Sequence, residues 1–350
     1  MKAKHVKSIE AMGLSLERLK GKNVLITGAT GLIASNLVEA FLFLNEDLKL
    51  AMNVYANCRN ESRGRERFAS FMDNKDFHML VQDVIDPLKT DVIFDYIIHA
   101  ASPAHPGAFN NVPVDVMKAN FIGTLNLLEY ARTHQHEDSS SEKPRFLFVS
   151  SSEVYGENFE GVDFYTEEMN GSINPDSFRS CYPESKRAAE TMCMCYKKQF
   201  DSDVTIVRPA FIYGKEIVSD NVRADAYFMR QMLNHEDIVM YSKGEQERSY
   251  LYVNDCVSAI LFVLLKGENG EVYNIGNDEN VITLHDYAEK LAQHGGIKLI
   301  YEPKTEPEGV RFLKTTRMLL KCDKLKKLGW SVQYGLDDGI KDILENDERV

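Results

Sequence analysis

The fold of this chain is decided by the stretch Val24-Leu25-Ile26-Thr27-Gly28-Ala29-Thr30-Gly31-Leu32-Ile33-Ala34. Its first four residues are apolar or β-branched and predict a buried strand, and the small residues after them predict a tight turn into a helix. Such a turn directs backbone N–H groups and a helix N-terminus to one point, which favours an anion. The Gly-x-x-Gly-x-x-Ala spacing is related to the dinucleotide fingerprint, in which small residues let the backbone approach a pyrophosphate. The alternative interpretation is a glycine turn of some other α/β domain.

Strand and helix patterns alternate through the first two-thirds of the chain. One helical pattern places Met117, Phe121, Leu125 and Leu128 on a single face. This alternation predicts parallel strands with right-handed crossovers, hence an α/β fold with a Rossmann-type doubly wound parallel sheet. The predicted strands are Asn23–Thr27, Met52–Ala56, His78–Val81, Tyr96–His99, Phe146–Ser150 and Val204–Arg208.

The last third of the chain is organised differently. Helices are predicted at Asn254–Lys266 and at Thr283–Gln293, where Thr283 and Asp286 resemble a capping pair. We therefore expect a nucleotide-binding domain and a smaller C-terminal α/β substrate domain, with the chain crossing between them more than once. The expected boundaries are an N-terminal extension at 1–20, the Rossmann domain at 21–213 plus about 249–276, and the substrate domain at 214–248 and 277–350.

Composition excludes several classes of protein. With 350 residues, 44% of them hydrophobic, the chain can bury a large core. A net charge of -12 disfavours a nucleic-acid or anionic-membrane partner, and no stretch reaches the roughly 18 apolar residues of a membrane helix. The charged first 20 residues do not resemble a signal peptide. Six cysteines without a disulfide framework or zinc spacing predict reduced thiols in a cytoplasmic protein and no metal site.

A second motif, Tyr182-Pro183-Glu184-Ser185-Lys186, carries the chemistry. Proline favours the first turn of a helix, so a helix is expected to begin here with Lys186 one turn after Tyr182. A nearby ammonium lowers the pKa of a phenol from about 10 toward working pH, and a positively charged nicotinamide acts in the same direction. A tyrosinate can then remove a hydroxyl proton while the carbinol carbon gives hydride to the ring. The alternative interpretation is that Tyr182 and Lys186 are an ordinary pair of residues on the protein surface.

The segment Ser150-Ser151-Ser152-Glu153-Val154-Tyr155-Gly156 follows a predicted strand directly. It therefore stands at the carboxyl edge of the sheet, where doubly wound folds bind their ligands. A hydroxyl there can hold a substrate oxygen, and a carboxyl group can act on nearby protons. The predicted catalytic residues are Tyr182, Lys186, Ser151, Ser152 and Glu153.

From about Gly21 to Leu344 the chain resembles the extended short-chain dehydrogenase/reductases that modify nucleotide sugars. The glycine turn, Asp83-Val84, His99-Ala100-Ala101-Ser102-Pro103-Ala104, the serine-rich strand end and Tyr-x-x-x-Lys carry the resemblance. It implies that a dinucleotide is bound and that its adenine contacts Asp83. It also implies that Ser151 is the hydroxyl partner of Tyr182. The other implied cofactor-binding residues are Gly28, Thr30, Gly31, Leu32, Ile33, Arg59, Val84, Ala100, Ala101, Ser102, Asn120, Tyr182, Lys186 and Ala210.

Within that family the chain is most similar to the UDP-glucuronate decarboxylases. The resemblance to their motifs lies in His99–Ala104, Asn120–Asn126, Asn174-Pro175, Arg179–Tyr182 and Lys186–Cys193, and Ser151-Ser152-Glu153 resembles their Thr-Ser-Glu. Sugar 4,6-dehydratases carry Thr-Asp-Glu there, where the Asp expels the 6-hydroxyl, and Ser152 is a poor replacement for such an acid. Simple 4-epimerases usually lack a glutamate at the position of Glu153.

The resemblance implies internal redox. Tyr182 takes the proton of the sugar 4-hydroxyl, hydride passes to the oxidised cofactor, the resulting β-keto acid loses carbon dioxide, and hydride returns. The cofactor is not consumed, so tightly bound NAD is expected. Members that prefer NAD carry an acidic residue after the second strand, where this chain has Asn57-Cys58-Arg59, so NADP stays open.

A diphosphate substrate needs cations, and arginine suits phosphate through its bidentate fork. By resemblance, Arg223, Arg248 and Arg317 surround the nucleotide diphosphate and sugar. Phe211 stands where the family commonly has an asparagine, which leaves the base and the sugar open. The implied substrate-binding residues are Ala104, Glu153, Arg179, Phe211, Arg223, Arg248 and Arg317.

The sequence thus predicts an NAD-dependent nucleotide-sugar decarboxylase that forms a homodimer through helices near 115–132 and 183–199. Three alternatives stay open. The first is an NDP-sugar epimerase or 4,6-dehydratase on the same scaffold. The second is an NADPH-dependent NDP-ketosugar reductase, and the third is a non-catalytic NAD(P)-binding protein.

Overall fold

The computed structural model describes residues 3–137, 142–156, 161–215, 223–302 and 317–346. Its strands are β1 (Asn23–Thr27), β2 (Asn53–Cys58), β3 (Phe77–Val81), β4 (Tyr96–His99), β5 (Arg145–Val149), β6 (Asp203–Pro209), β7 (Phe211–Tyr213), β8 (Ile238–Met240), β9 (Glu247–Tyr252), β10 (Val272–Ile275), β11 (Val281–Thr283), β12 (Leu299–Tyr301) and β13 (Arg317–Met318). Its α-helices are α1 (Ala3–Ala11), α2 (Leu32–Leu48), α3 (Glu61–Arg67), α4 (Pro106–Asn111), α5 (Pro113–Thr133), α6 (Cys181–Phe200), α7 (Ala224–Leu233), α8 (Val253–Lys266), α9 (Leu284–Gly295), α10 (Asp323–Lys327) and α11 (Leu336–Glu345).

Seven of the described strands form a parallel sheet in the order β10-β6-β5-β4-β1-β2-β3. Side chains of β1 alternate between two cores: Val24 and Ile26 pack with α2 and α8, and Leu25 packs with α5 and α6. Burial on both faces explains why these strands are continuously apolar in the sequence. The strand order reverses between β1 and β4, which is the switch point where such sheets bind ligands. The predicted Rossmann-type doubly wound sheet is confirmed.

A second, smaller sheet is built around β9. This strand pairs in parallel with β7 and β13 and antiparallel with β11. Helices α7, α9 and α11 cover it with a separate apolar core that includes Tyr287 and Ile340. Strands β7 and β9 belong to this sheet, although the predicted boundaries put 211–213 and 249–252 in the Rossmann domain. The division into domains stays a prediction. Its parts at 1–2, 138–141, 157–160, 216–222, 303–316 and 347–350 lie outside the described residues.

Helix α9 begins as its sequence predicts. The Thr283 side chain accepts a hydrogen bond from the Asp286 backbone N–H, and the Asp286 carboxylate accepts one from the Thr283 N–H. This capping box satisfies two of the N–H groups that a helix start leaves without partners. The helix is thereby fixed beneath the second sheet, where Tyr287 faces the cavity described below.

The sequence-based expectations about membrane helices and cysteines can be checked in the structure. Across the described ranges, no helix combines the length and the apolar character that crossing a bilayer requires. All six cysteines are free thiols, of which Cys195 is exposed and the others are buried.

Candidate active site

A cavity of about 980 Å³ opens at the carboxyl edge of the main sheet and extends to the second sheet. The loops after β1, β4, β5 and β6 form one side of it, and β7, α7 and α9 contribute to the other. Most of the predicted site residues meet here although they are far apart in the sequence. Those in its wall are Gly28, Gly31, Leu32, Ile33, Ala100, Ser102, Ala104, Ser151, Ser152, Glu153, Arg179, Tyr182, Lys186, Ala210, Phe211, Arg223 and Arg248.

The turn after β1 has the geometry of a pyrophosphate cradle. Gly28 has a φ of +66°, and a Cβ placed on it would lie 2.6 Å from the Cα of Ala101. Gly31 donates its N–H to the Gly28 carbonyl at 2.9 Å and stands directly before the first turn of α2. Nearby, the buried hydroxyls of Ser102 and Ser150 lie in the cavity wall without a hydrogen-bond partner. These backbone and hydroxyl groups fit a dinucleotide.

Several predicted cofactor residues lie outside the cavity wall. The Asp83 carboxylate accepts the Ile85 N–H at 3.2 Å, and the Asn120 amide donates to the Ser185 hydroxyl at 2.9 Å. Arg59 follows β2 and is exposed. Thr30, Val84 and Ala101 also lie outside the cavity wall. The assignment of all these residues to the cofactor stays a prediction.

Tyr182 lies in the first turn of α6, which begins at Cys181. Its side chain is buried, and its ring stacks on that of Phe109 with the centroids 4.8 Å apart. Burial and, to a smaller extent, the charge of Glu153 raise the pKa of the phenol to about 12, although a hydrogen bond with Ser151 lowers it. The structure therefore places the phenol beside the Ser151 hydroxyl, the residue that the family resemblance implies as its partner.

In this structure burial raises the pKa of Tyr182, so the lowering that the sequence assigns to Lys186 stays a prediction. The Lys186 Nζ donates to the Val149 carbonyl at 2.7 Å and lies 5.9 Å from the centroid of the Tyr182 ring. Burial lowers the pKa of Lys186 to about 7 despite the opposing charge of Glu190. Desolvation is thus the largest cause of the pKa shift of both Tyr182 and Lys186, because each side chain is removed from water.

A buried ion pair lies behind Lys186. Arg208 on β6 donates from Nε and Nη2 to the two oxygens of Glu190 on α6, at 3.0 Å and 2.7 Å. Its Nη1 donates to the Tyr155 hydroxyl at 3.0 Å, which in turn donates to Asn274 at 2.7 Å. Because every charge here has a hydrogen-bond partner, the network joins α6 to the sheet rigidly below the lysine.

Glu153 and Arg179 form an ion pair at the edge of the site. The Arg179 Nη2 donates to the Glu153 carboxylate at 2.9 Å, and the guanidinium carbon lies 4.5 Å from the Phe109 ring centroid. Ser152, between Ser151 and Glu153, is buried in the cavity wall. The carboxylate that the sequence assigns to proton chemistry is thereby held beside Tyr182 by an arginine.

The contact of Arg317 with the substrate stays a prediction. Arg317 stands on β13 outside the cavity wall, where its guanidinium pairs with Asp163 at 2.7 Å and with Glu247 at 2.9 Å. The pairing of β13 with β9 sets Arg317 opposite Glu247, which explains the second contact. Arg223 and Arg248 do line the cavity, at the end formed by the second sheet.

Several residues of the cavity wall were not predicted as site residues from the sequence, and four of them have informative contacts or positions. Phe109 stacks on Tyr182, Ser150 presents an unpaired hydroxyl, Asp225 pairs with Arg223, and Tyr287 lines the cavity. Pro106 at the start of α4 signals the short helix that carries Phe109, but no local signal shows what its ring touches.

Comparisons with known proteins agree with this architecture. Residues 24–276 match the family model described as the NAD dependent epimerase/dehydratase family. The chain is 30% identical to UDP-glucuronic acid decarboxylase 1 of Xenopus tropicalis, over 91% of this chain and 70% of that protein. It is 32% identical to UDP-glucuronic acid decarboxylase 6 of Arabidopsis thaliana, over 93% and 89%.

Solved structures have the same fold. UDP-glucose 4-epimerase of Thermotoga maritima, solved with UDP-glucose, superposes with a TM-score of 0.76 at 26% identity, covering 93% of this chain and 99% of that one. UDP-glucuronic acid 4-epimerase of Bacillus cereus, solved with UDP-glucuronic acid and NAD, gives 0.74 at 23% identity, covering 92% and 98%. The latter likeness concerns the fold alone.

Proposed function

Because this chain belongs to the NAD dependent epimerase/dehydratase family, we propose that it decarboxylates UDP-glucuronate to UDP-xylose by transient oxidation at C4. One observation carries this assignment. Ser151, Ser152 and Glu153 line the same cavity as Tyr182, and the middle residue of the three is a buried serine. The curated relatives named as UDP-glucuronic acid decarboxylases support the choice of substrate.

The glycine turn and the start of α2 would hold the dinucleotide through Gly28, Gly31, Leu32 and Ile33. When bound, NAD supplies a positively charged ring that accepts hydride from the sugar C4, returns it later and favours the ionised form of the nearby phenol. Lys186, fixed to the Val149 carbonyl, adds positive charge below the same region in its protonated form.

Tyr182 in its ionised form takes the proton of the C4 hydroxyl as C4 becomes a ketone. The carboxylate on C5 is then β to that ketone, so its C–C bond breaks, carbon dioxide leaves and the electron pair forms an enolate. Hydroxyls of Ser151 and Ser152 stabilise the charge on oxygen. Glu153 positions or moves the proton that C5 receives, and Tyr182 gives its proton back to the C4 oxygen at the end.

Expelling a 6-hydroxyl requires an acid, and a serine hydroxyl is far less acidic than a carboxyl group. Ser152 therefore argues against the 4,6-dehydratase alternative, and Glu153 argues more weakly against a simple epimerase. The NADPH-dependent reductase and the non-catalytic binding protein are the remaining outcomes to be tested. NAD rather than NADP is proposed because internal redox regenerates the oxidised cofactor.

The experiment is a panel of UDP-, dTDP-, CDP- and GDP-sugars incubated with the purified protein and followed by mass spectrometry. Loss of carbon dioxide from UDP-glucuronate is the expected result. Loss of water identifies a dehydratase, an isomer of unchanged mass identifies an epimerase, and stoichiometric consumption of NADPH identifies a reductase. No conversion of any sugar by protein that holds NAD contradicts the enzymatic assignment.

An apolar stripe on α5 supports a homodimer. Val114, Met117, Phe121 and Leu125 recur at helical spacing and are exposed by 61%, 46%, 39% and 38%. An exposed apolar row along a helix marks an interaction surface, and α6 packs beside α5 on the same face of the sheet. The proposed partner is a second copy of this chain. The free cysteines support a reducing, cytoplasmic location.

A further inference from the structure

Phe211 contacts two cationic side chains in the cavity wall. The guanidinium carbon of Arg248 lies 4.7 Å from the Phe211 ring centroid, and that of Arg223 lies 5.1 Å from it. Strand pairing explains the first contact, because Phe211 on β7 is opposite Tyr250 on β9, two residues after Arg248 on the same face. Tyr250 supports the ring from its edge at a centroid distance of 6.0 Å.

Further contacts fix the two guanidinium groups. Asp225 accepts hydrogen bonds from Arg223 Nε at 3.0 Å and from its Nη2, and the Glu247 carbonyl accepts one from Arg248 Nη1 at 2.8 Å. Burial, with the neighbouring charge of Arg223, lowers the pKa of Arg248. Two like charges near each other in a partly buried wall cost free energy, which a doubly negative ligand offsets.

We infer that Phe211 is a positioning residue that holds Arg223 and Arg248 side by side as a paired site for the diphosphate of the nucleotide sugar. This inference rests on the proposed function. A phenyl ring offers no hydrogen bond to phosphate, so it acts through the two guanidinium groups, whose flat faces stack on aromatic rings. An asparagine at this position would leave both arginines without the ring.

The test is calorimetric binding of UDP to the full chain loaded with NAD, which requires no turnover. Phe211→Leu should weaken the Kd for UDP about tenfold, equivalent to about 1.4 kcal/mol. Phe211→Trp, which keeps an aromatic face, should stay near the wild type, and Phe211→Asn should weaken UDP binding as the leucine variant does. With substrate, Phe211→Leu should raise KM and leave kcat unchanged, a split that general loss of structure would not give.

Phe200→Leu is the matched control, because it removes a contact with a cation, Arg132 at 5.0 Å, and neither residue lines the cavity. Arg248→Lys keeps the charge but loses the planar face, and it should weaken UDP binding even where Phe211→Leu fails to fold. Unchanged UDP affinity in Phe211→Leu, Phe211→Asn or Arg248→Lys overturns the inference but leaves the proposed function standing. Absence of UDP binding by the wild type overturns the inference and the proposed function together.

Discussion

The ring of Phe109 stacks on the ring of Tyr182, with the centroids 4.8 Å apart and the planes 24° from parallel. Arg179 lies over Phe109 in turn, with its guanidinium carbon 4.5 Å from that ring centroid, and it pairs with Glu153 at 2.9 Å. The phenol and the carboxylate proposed for proton transfer are therefore held by one set of contacts, which spans α4, α6 and the loop after β5.

Phe109→Leu removes the ring against which Tyr182 is held. Aromatic stacking contributes ~0.5–1.5 kcal/mol beyond burial, so we expect kcat to fall roughly two- to tenfold, with KM little changed. Phe109→Tyr keeps the ring and serves as the matched control. A Phe109→Leu enzyme that retains NAD and wild-type kcat would show that the stack does not position the phenol.

Glu153 and Arg179 should shift the pH dependence of kcat in opposite directions. The charge of Glu153 raises the pKa of Tyr182 and that of Arg179 lowers it. Because the reaction needs the ionised phenol, Glu153→Gln should move the rising limb of the kcat profile to lower pH, and Arg179→Gln should move it to higher pH. Glu184→Gln, a removal of charge from the partly exposed pair with Arg187, is the control. Shifts in the same direction in both variants would refute the coupling.

Gly28→Ala should abolish NAD binding. The new Cβ would lie 2.6 Å from the Cα of Ala101, which is backbone and cannot move aside as a side chain can. Gly296→Ala is the control, because Gly296 has a similar φ of +63° but nothing within 4 Å of the added atom. Both variants share the ~1–2 kcal/mol cost of the left-handed conformation, so the difference in NAD content after purification isolates the steric effect. Equal NAD content in the two would argue against the cradle.

Phe121→Glu should dissociate the proposed homodimer. It places a charge in the middle of the exposed stripe of α5, where a second copy would bury it without a partner. Light scattering coupled to size exclusion should give a dimer for the wild type and a monomer for the variant. Val81→Glu changes an exposed apolar residue on β3 and should remain dimeric. A monomeric wild type would contradict the homodimer.

Much of the scaffold could be predicted because buried parallel strands are apolar runs. Asn23–Thr27 and Tyr96–His99 are found with the predicted bounds, and the capping pair Thr283 and Asp286 is formed. Such signals are local: a few consecutive side chains determine the outcome. They also located the turn at Gly28 correctly.

The contacts inside the site could not be predicted in this way, because they join residues distant in sequence. The Lys186 ammonium is bound by a carbonyl on β5, and burial raises the pKa of Tyr182 and lowers that of Lys186. Arg317 is paired with Glu247 through a strand register that spans 70 residues of sequence separation. The contact between Phe109 and Tyr182 likewise depends on how α4 packs on α6, which no pattern in either helix records.

The central claim is that C4 is oxidised and then reduced again on the same enzyme molecule, with Tyr182 moving the proton. The most direct measurement is turnover of UDP-glucuronate carrying deuterium at C4, with the product analysed by mass spectrometry and NMR. The account predicts UDP-xylose that retains the deuterium at C4, no net accumulation of reduced cofactor, and no product from Tyr182→Phe that still holds NAD. Loss of the deuterium from C4, or full activity of Tyr182→Phe, would contradict it.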